Sequence, residues 1–192
     1  MHVRHLNKKF LWPAVVIIAM LVATAWQLHH QGRLWFCSCG RILFWSGDVC
    51  SANNSQHFLD PYSFTHLLHG FAFCALLTLL LPKLHVRWRL CLALFLEAVW
   101  EVLENSEFVI QRFREATAAL GYQGDTVINS LGDIVACAAG FLLARRLGLW
   151  RSLAIFVVTE AVLIIWIRDS LLLEILMLIY PIGAIKTWQT CP

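Results

Sequence analysis

The sequence predicts an all-α membrane protein: a polytopic transmembrane helix bundle of about five spans with a short C-terminal interfacial or re-entrant helix. Three observations predict it. Of the 192 residues, 59% are hydrophobic and only 14% are charged, whereas soluble domains carry about a quarter charged residues. Mean hydropathy is +0.68. Apolar runs of about twenty residues, the length that crosses a bilayer as a helix, recur along the chain between short basic or polar connections.

The first element is a span over about 10–28, preceded by basic Arg4, Lys8 and Lys9. Ala23-Thr24-Ala25 resembles a signal-peptide cleavage site, but the apolar run exceeds a usual signal-peptide core, which favours an uncleaved span. A polar loop over 29–63 follows. The second span covers about 64–81 and stops at Pro82, which cannot continue a helix. The third covers about 90–109, the fourth about 126–147 and the fifth about 152–167. The final apolar run, at 170–182, is too short to cross and holds Glu174. It reads as a short helix capped by Asp169 or Ser170. All of this fits one membrane domain over 1–192.

Charge orients the bundle. Lys83, Arg87 and Arg89 separate the second and third spans, and Arg145, Arg146 and Arg151 separate the fourth and fifth. With the basic N-terminus, these three segments contain no acidic residue. The positive-inside rule puts them in the cytoplasm and the 29–63 loop on the other side of a bacterial plasma membrane. The basic residues are too scattered to track a nucleic-acid backbone, which excludes that class of partner. Trp12, Trp26, Trp35, Trp45 and Trp188 read as interfacial anchors.

Polar residues inside spans are costly unless they face a cavity, a partner or an ion. His66 and His69 sit three apart at the start of the second span, on one helix face. Glu97, Glu101 and Glu104 recur at helical spacing on the third, and ionised together they repel unless protonated, paired with Arg112 or Arg114, or bound to a cation. Asp125, Asn129 and Asp133 form a matching stripe on the fourth, although an N-cap role alone would account for Asp125. Gly132, Ala136 and Gly140 make an adjacent small-residue stripe suited to close packing. His66, His69, Glu101, Glu104, Asp125 and Asp133 are the candidate ligands of a divalent metal such as zinc, iron or manganese. His57, Asp60 and Glu97 are the candidate acid–base groups. Hydrogen bonding between helices is the plainer reading of the same residues. Glu160 interrupts the fifth span without a visible partner.

The 29–63 loop carries Cys37, Cys39 and Cys50. A bridge from Cys37 or Cys39 to Cys50 and a soft-metal site are both open. Cys74, Cys91 and Cys137 read as small packing residues.

Taken together, Cys37-x-Cys39-Gly40, SQHxxDxYSxxHxxHG over 55–70, EAxWExxEN over 97–105, RxR over 112–114, GDTVxNSxGD over 124–133 and LMLIYPI over 176–182 resemble an uncharacterised family of bacterial multi-pass inner-membrane proteins. The resemblance spans about 35–188 and implies a plasma-membrane location without an assigned activity. From the residues themselves, the leading expectation is a metal-dependent hydrolase or transferase acting on a lipid headgroup or envelope precursor. The alternatives are a non-enzymatic metal- or proton-binding factor and an assembly subunit of a larger membrane complex.

Overall fold

A computed structural model describes residues 8–117 and 121–190; Arg4 lies outside the described residues. These fold into eight helices. They are α1 (Lys8–His30), α2 (Ser63–Leu80), α3 (Val86–Glu104), α4 (Glu107–Ala116), α5 (Val127–Leu147), α6 (Leu149–Ile167), α7 (Leu171–Ile179) and α8 (Gly183–Gln189). By length and composition, α1, α2, α5 and α6 are able to cross a membrane. Helix α3 is long enough too, but its three glutamates dilute its apolar character.

The centre of the bundle is the α2–α5 pair. A Cβ placed on Gly70 of α2 would overlap the Cys137 carbonyl of α5, and one on Gly140 of α5 would overlap the Leu67 carbonyl of α2. The small-residue stripe read from the sequence therefore does what such stripes do: it lets two backbones touch. Around this contact, Phe71, Cys74 and Leu77 pack with Ala93 of α3 and Phe141 and Ala144 of α5. Leu94 and Ala98 of α3 meet Ile134 and Cys137 next to it. Helix α1 lies against α3, and α6 runs along α5 and α2. Apolar residues on the far sides of α1 and α6, among them Val22, Trp26, Val158 and Ile165, are exposed, as lipid-facing side chains must be.

The third span is shorter than its apolar pattern suggests. Helix α3 stops at Glu104, Asn105 caps it, and α4 restarts behind Ser106, whose hydroxyl accepts the Val109 N–H. Asn105 is fully buried. Its amide donates to the Glu101 carbonyl (3.1 Å), to Asp125 Oδ2 (2.9 Å) and to Ser130 Oγ (3.3 Å), and its oxygen accepts the Asp125 N–H at 2.7 Å. One side chain thus ties the end of α3 to the start of α5. The N-cap of α5 is Thr126, so the capping role weighed for Asp125 belongs to its neighbour.

Helix α7 is nine residues long, about 14 Å by helix rise, and cannot cross a hydrocarbon core of about 30 Å. The chain reaches it through a turn at Arg168, which adopts a left-handed conformation with φ 57°. Ser170 caps it. Glu160, seven residues back from the end of α6, takes the Leu171 and Leu172 N–H groups on its two carboxylate oxygens at 3.1 and 3.2 Å. The acid without an evident partner in the sequence is therefore the anchor of α7. At the other end, Arg112 Nε donates to the Leu178 carbonyl at 2.9 Å.

The loop between α1 and α2 is ordered by its own backbone. Phe58 and Leu59 donate to the Leu43 and Phe44 carbonyls, Ser46 donates back to Leu59, and Trp45 pairs with Leu59 as a short parallel bridge. The Leu34 and Trp35 carbonyls accept the first N–H groups of α5 at 2.8 and 3.2 Å. Cys37 is bonded to Cys39, and Cys50 is disulfide-bonded as well.

Candidate metal centre

Three helices deliver the site. Helix α2 brings His66 and His69, α3 brings Glu97, Glu101 and Glu104, and α5 brings Asn129 and Asp133; Asp125 enters from the turn before α5. All but His69 and Glu104 are buried. Glu97 takes both imidazoles: His66 Nδ1 lies 2.6 Å from its Oε1 and His69 Nδ1 lies 2.9 Å from its Oε2. A carboxylate holding Nδ1 fixes the tautomer and orientation of an imidazole and leaves Nε2 available. His66 Nε2 faces Asp133 Oδ2 at 4.0 Å, and Ser63 Oγ donates to Asp133 Oδ1 at 2.6 Å.

Glu101 is different. It is fully buried, and neither carboxylate oxygen has a hydrogen-bond partner; Oε2 of Glu104 is in the same condition. His66 Nδ1 is 3.3 Å from Glu101 Oε1, but its one proton is directed at the closer Glu97. Leaving a carboxylate buried and unsatisfied costs several kcal/mol, by order of magnitude. Arg112 and Arg114, the cations that the sequence offered, do not relieve this. Arg112 bonds carbonyls of α7, and Arg114 bonds the Tyr122 carbonyl and the Gln123 side chain. Among the described residues, the ion pairs in the site are made by His66 and His69.

Two donor sets have ligand atoms within 4.8 Å of one another: His66, His69 and Glu97, and His66, Glu101 and Glu104. The first is already satisfied by its internal hydrogen bonds. The second contains the orphaned oxygens and fits a cation better on donor chemistry: one imidazole and two carboxylates suit zinc, iron or manganese. His66 and Glu104 border a cavity of about 60 Å³ that Asp125, Asp133, Asp169, Glu174, Tyr62 and Tyr122 also line. A water needs about 10–15 Å³ of such space, so this one has room for an ion's remaining aqua ligands.

The other expected residues are placed as follows. Asp125 accepts from Tyr122 Oη and Asn105 Nδ2, both at 2.9 Å, and burial raises its carboxyl above the usual range. Asp60 is a buttress: it accepts the Ser55 and Tyr62 N–H groups at 3.0 and 2.7 Å and the Asn129 amide at 3.3 Å. Burial, with Asp125 nearby, pushes it up to about 6. His57 is not in the cavity. Its ring lies beside Cys37 and Cys39, and only its carbonyl reaches the site, accepting from Asn129 Nδ2 at 2.8 Å. Tyr122 and Asn105 were not singled out in the sequence; a loop tyrosine has no periodicity to give it away, whereas the Asn105-Ser106 pair is a legible helix stop and N-cap.

A family model described as a protein of unknown function (DUF2585) matches residues 28–191. The chain belongs to this family. The DUF2585 match includes every residue named above as part of the site, and leaves most of α1 outside it. A UPF0314 protein of Paracoccus denitrificans is 42% identical over 178 residues, covering 93% of this chain and 91% of the relative. Another, of Sinorhizobium fredii, is 46% identical over 176 residues, covering 90% of this chain and 89% of the relative. A third, of Brucella anthropi, is 42% identical over 92% of this chain and 90% of its own length. No solved structure matches this DUF2585 chain.

The rim of the cavity gives a pH dependence. Burial pushes the Asp169 carboxyl from 3.8 to about 7, although it accepts the Ser170 N–H at 2.9 Å and the Tyr62 hydroxyl at 3.4 Å. Between those two values the folded protein holds a proton that the unfolded chain has released. Its contribution to stability therefore falls as pH rises from about 4 to about 7 and stays low above that. Asp169→Asn removes the buried charge and keeps an acceptor, so it flattens the slope of the thermal midpoint between pH 5 and pH 8. Equal slopes in parent and variant would show that Asp169 does not carry it.

Proposed function

We propose that this protein is a metal-dependent enzyme of the bacterial plasma membrane, a hydrolase or transferase acting on a lipid headgroup or a lipid-linked envelope precursor. The observation that carries the reading is the pair of orphaned oxygens on buried Glu101, beside Glu104 and His66. His66, Glu101 and Glu104 hold the ion, with Asp133 facing the free nitrogen of His66. Glu97 orients both histidines rather than acting as an acid or base. Bound there, a divalent ion supplies Lewis acidity and an activated water. Asp125 and Asp133 then lie within the same cavity to hold or pass a proton.

A second observation favours an amphiphilic substrate. A cleft of about 170 Å³ between α2, α3 and α7 is lined both by apolar Trp100, Leu171, Ile175 and Leu178 and by polar His66, His69, Glu104 and Glu174. A lining that joins apolar and polar side chains suits a molecule with a chain at one end and a reactive headgroup at the other. The orientation is supported by charge: the basic segments at 83–89 and 145–151 and the start of α1 lie at the end of the bundle opposite the 31–62 loop. By the positive-inside rule the site then faces away from the cytoplasm.

The test is elemental analysis of the purified, chelator-free protein beside a His66→Ala/Glu101→Gln variant. The expected result is about one equivalent of zinc, iron or manganese in the parent and a loss of at least about tenfold in the variant. Hydrolysis of phospholipid and lipid-linked precursor panels by the loaded parent then assigns the substrate. A well-folded parent that holds no metal overturns the reading. Metal binding without turnover in such panels favours a metal-binding factor instead.

A further inference from the structure

The second donor cluster of the molecule lies outside the carboxylate cavity. Cys37, Cys39 and His57 have ligand atoms within 4.8 Å of one another. The loop's own backbone brings them together: residues 43–46 pair with Phe58 and Leu59 and carry the adjoining His57 back to the Cys37–Cys39 turn. His57 is 1% exposed and Cys37 7%, whereas Cys39 is exposed. The Cys39 N–H donates to Cys37 Sγ at 3.2 Å, the kind of surrounding hydrogen bond that orients and tunes a ligating sulfur. Leu43 N–H donates to His57 Nδ1 at 3.3 Å, a long hydrogen bond that makes Nδ1 the acceptor and puts the ring proton on Nε2, which a coordinating ring gives up to the ion.

We propose that Cys37, Cys39 and His57 form a thiophilic site for Cu(I), closed by the Cys37–Cys39 disulfide and opened by a dithiol reductant. Opening is thiol–disulfide exchange. A thiolate of the dithiol attacks the exposed Cys39 sulfur, and its second thiol resolves the mixed disulfide. The Cys37–Cys39 bond is replaced by two thiols while the dithiol becomes a disulfide. Binding then releases the two thiol protons to solvent, and the ion takes two sulfurs and one imidazole nitrogen.

Donor count and softness select the ion. Two thiolates and one imidazole make a three-coordinate soft set that suits Cu(I). A structural zinc site takes four ligands, whereas the polar atoms beside the two sulfurs, Asn53 Oδ1 at 3.7 Å from Cys37 Sγ and the Arg41 carbonyl oxygen at 3.7 Å from Cys39 Sγ, are neutral amide oxygens. The site does not depend on the carboxylate centre. The two touch through one residue, Asn129, whose amide donates to the His57 carbonyl.

The experiment is competition for Cu(I) against bicinchoninate, using the full-length protein in detergent, reduced with a phosphine or left oxidised. Reduced parent protein is expected to hold about one more Cu(I) per chain than the oxidised form. Cys39→Ser at the exposed position lowers the reduced protein's affinity at least about tenfold and keeps as internal controls the buried Cys74, Cys91 and Cys137 and Cys50, whose own disulfide the phosphine also opens. His57→Ala does the same where its elution profile shows a folded protein. Equal Cu(I) binding by oxidised and reduced parent, full retention in Cys39→Ser, or tighter binding of Zn(II) than of Cu(I) each overturns the proposal.

Discussion

Gly140→Leu prevents the bundle from assembling. Gly140 meets the Leu67 backbone of α2, and about one turn of close contact is completed by Gly70 meeting Cys137 and Phe141 in return. Backbone faces backbone at both points, so an added side chain has no flexible neighbour to displace. Only separation of the helices relieves the overlap. Overpacking ordinarily costs about 1–3 kcal/mol; here the cost is about 3 kcal/mol or more, because the contact seats the central pair. Separation also carries His66 on α2 away from Asp133 on α5, so any population that does fold loses the site. Gly183→Ala is the matched control, since nothing lies within 4 Å of a Cβ there. Thermal midpoint and elution profile in detergent read the difference. A Gly140→Leu protein as stable as the parent would mean that α2 and α5 do not touch as described.

The small-residue stripe was legible because it is a local pattern at helical spacing, and so were His66/His69 and the Glu97/Glu101/Glu104 stripe. What periodicity cannot say is which carboxylate on a stripe is satisfied. Glu97 and Glu101 are one turn apart and look alike in sequence. Their difference comes from the rotation of α2 against α3, which directs both imidazole Nδ1 atoms at Glu97. Glu160 looked solitary because its partners are N–H groups of α7, reached only after the turn at Arg168. His57 was grouped with Asp60 on sequence proximity. The alternation of side chains along the 57–60 segment instead turns its ring toward the cysteines and leaves its carbonyl for Asn129. Arg112 and Arg114 were near enough in sequence to neutralise the glutamates, but the helix break at Asn105 redirects α4 and sends both to backbone carbonyls.

On the proposed metal-bound reading, chelation lowers the thermal midpoint of the parent, whereas Glu101→Gln makes the protein indifferent to the same treatment. The argument is linkage. A ligand that binds only the folded state stabilises it by about 4 kcal/mol when present at a thousand times its dissociation constant, a shift on the order of 10 °C for a chain of this size. Without the ion, Glu101 and Glu104 keep buried oxygens with no donor, close to Asp133 and Glu97. Gln at position 101 removes one of those unsatisfied acids, so the metal-free variant melts at or above the metal-free parent, and adding zinc, iron or manganese does not raise it. This pattern separates an ion ligand from a helix-joining residue. Were Glu101 there to join helices, the substitution would destabilise the protein equally with and without chelator. Melting of parent and variant in parallel, with and without metal, decides between the two, and equal destabilisation in both arms would assign Glu101 to packing and leave the cavity without its ion.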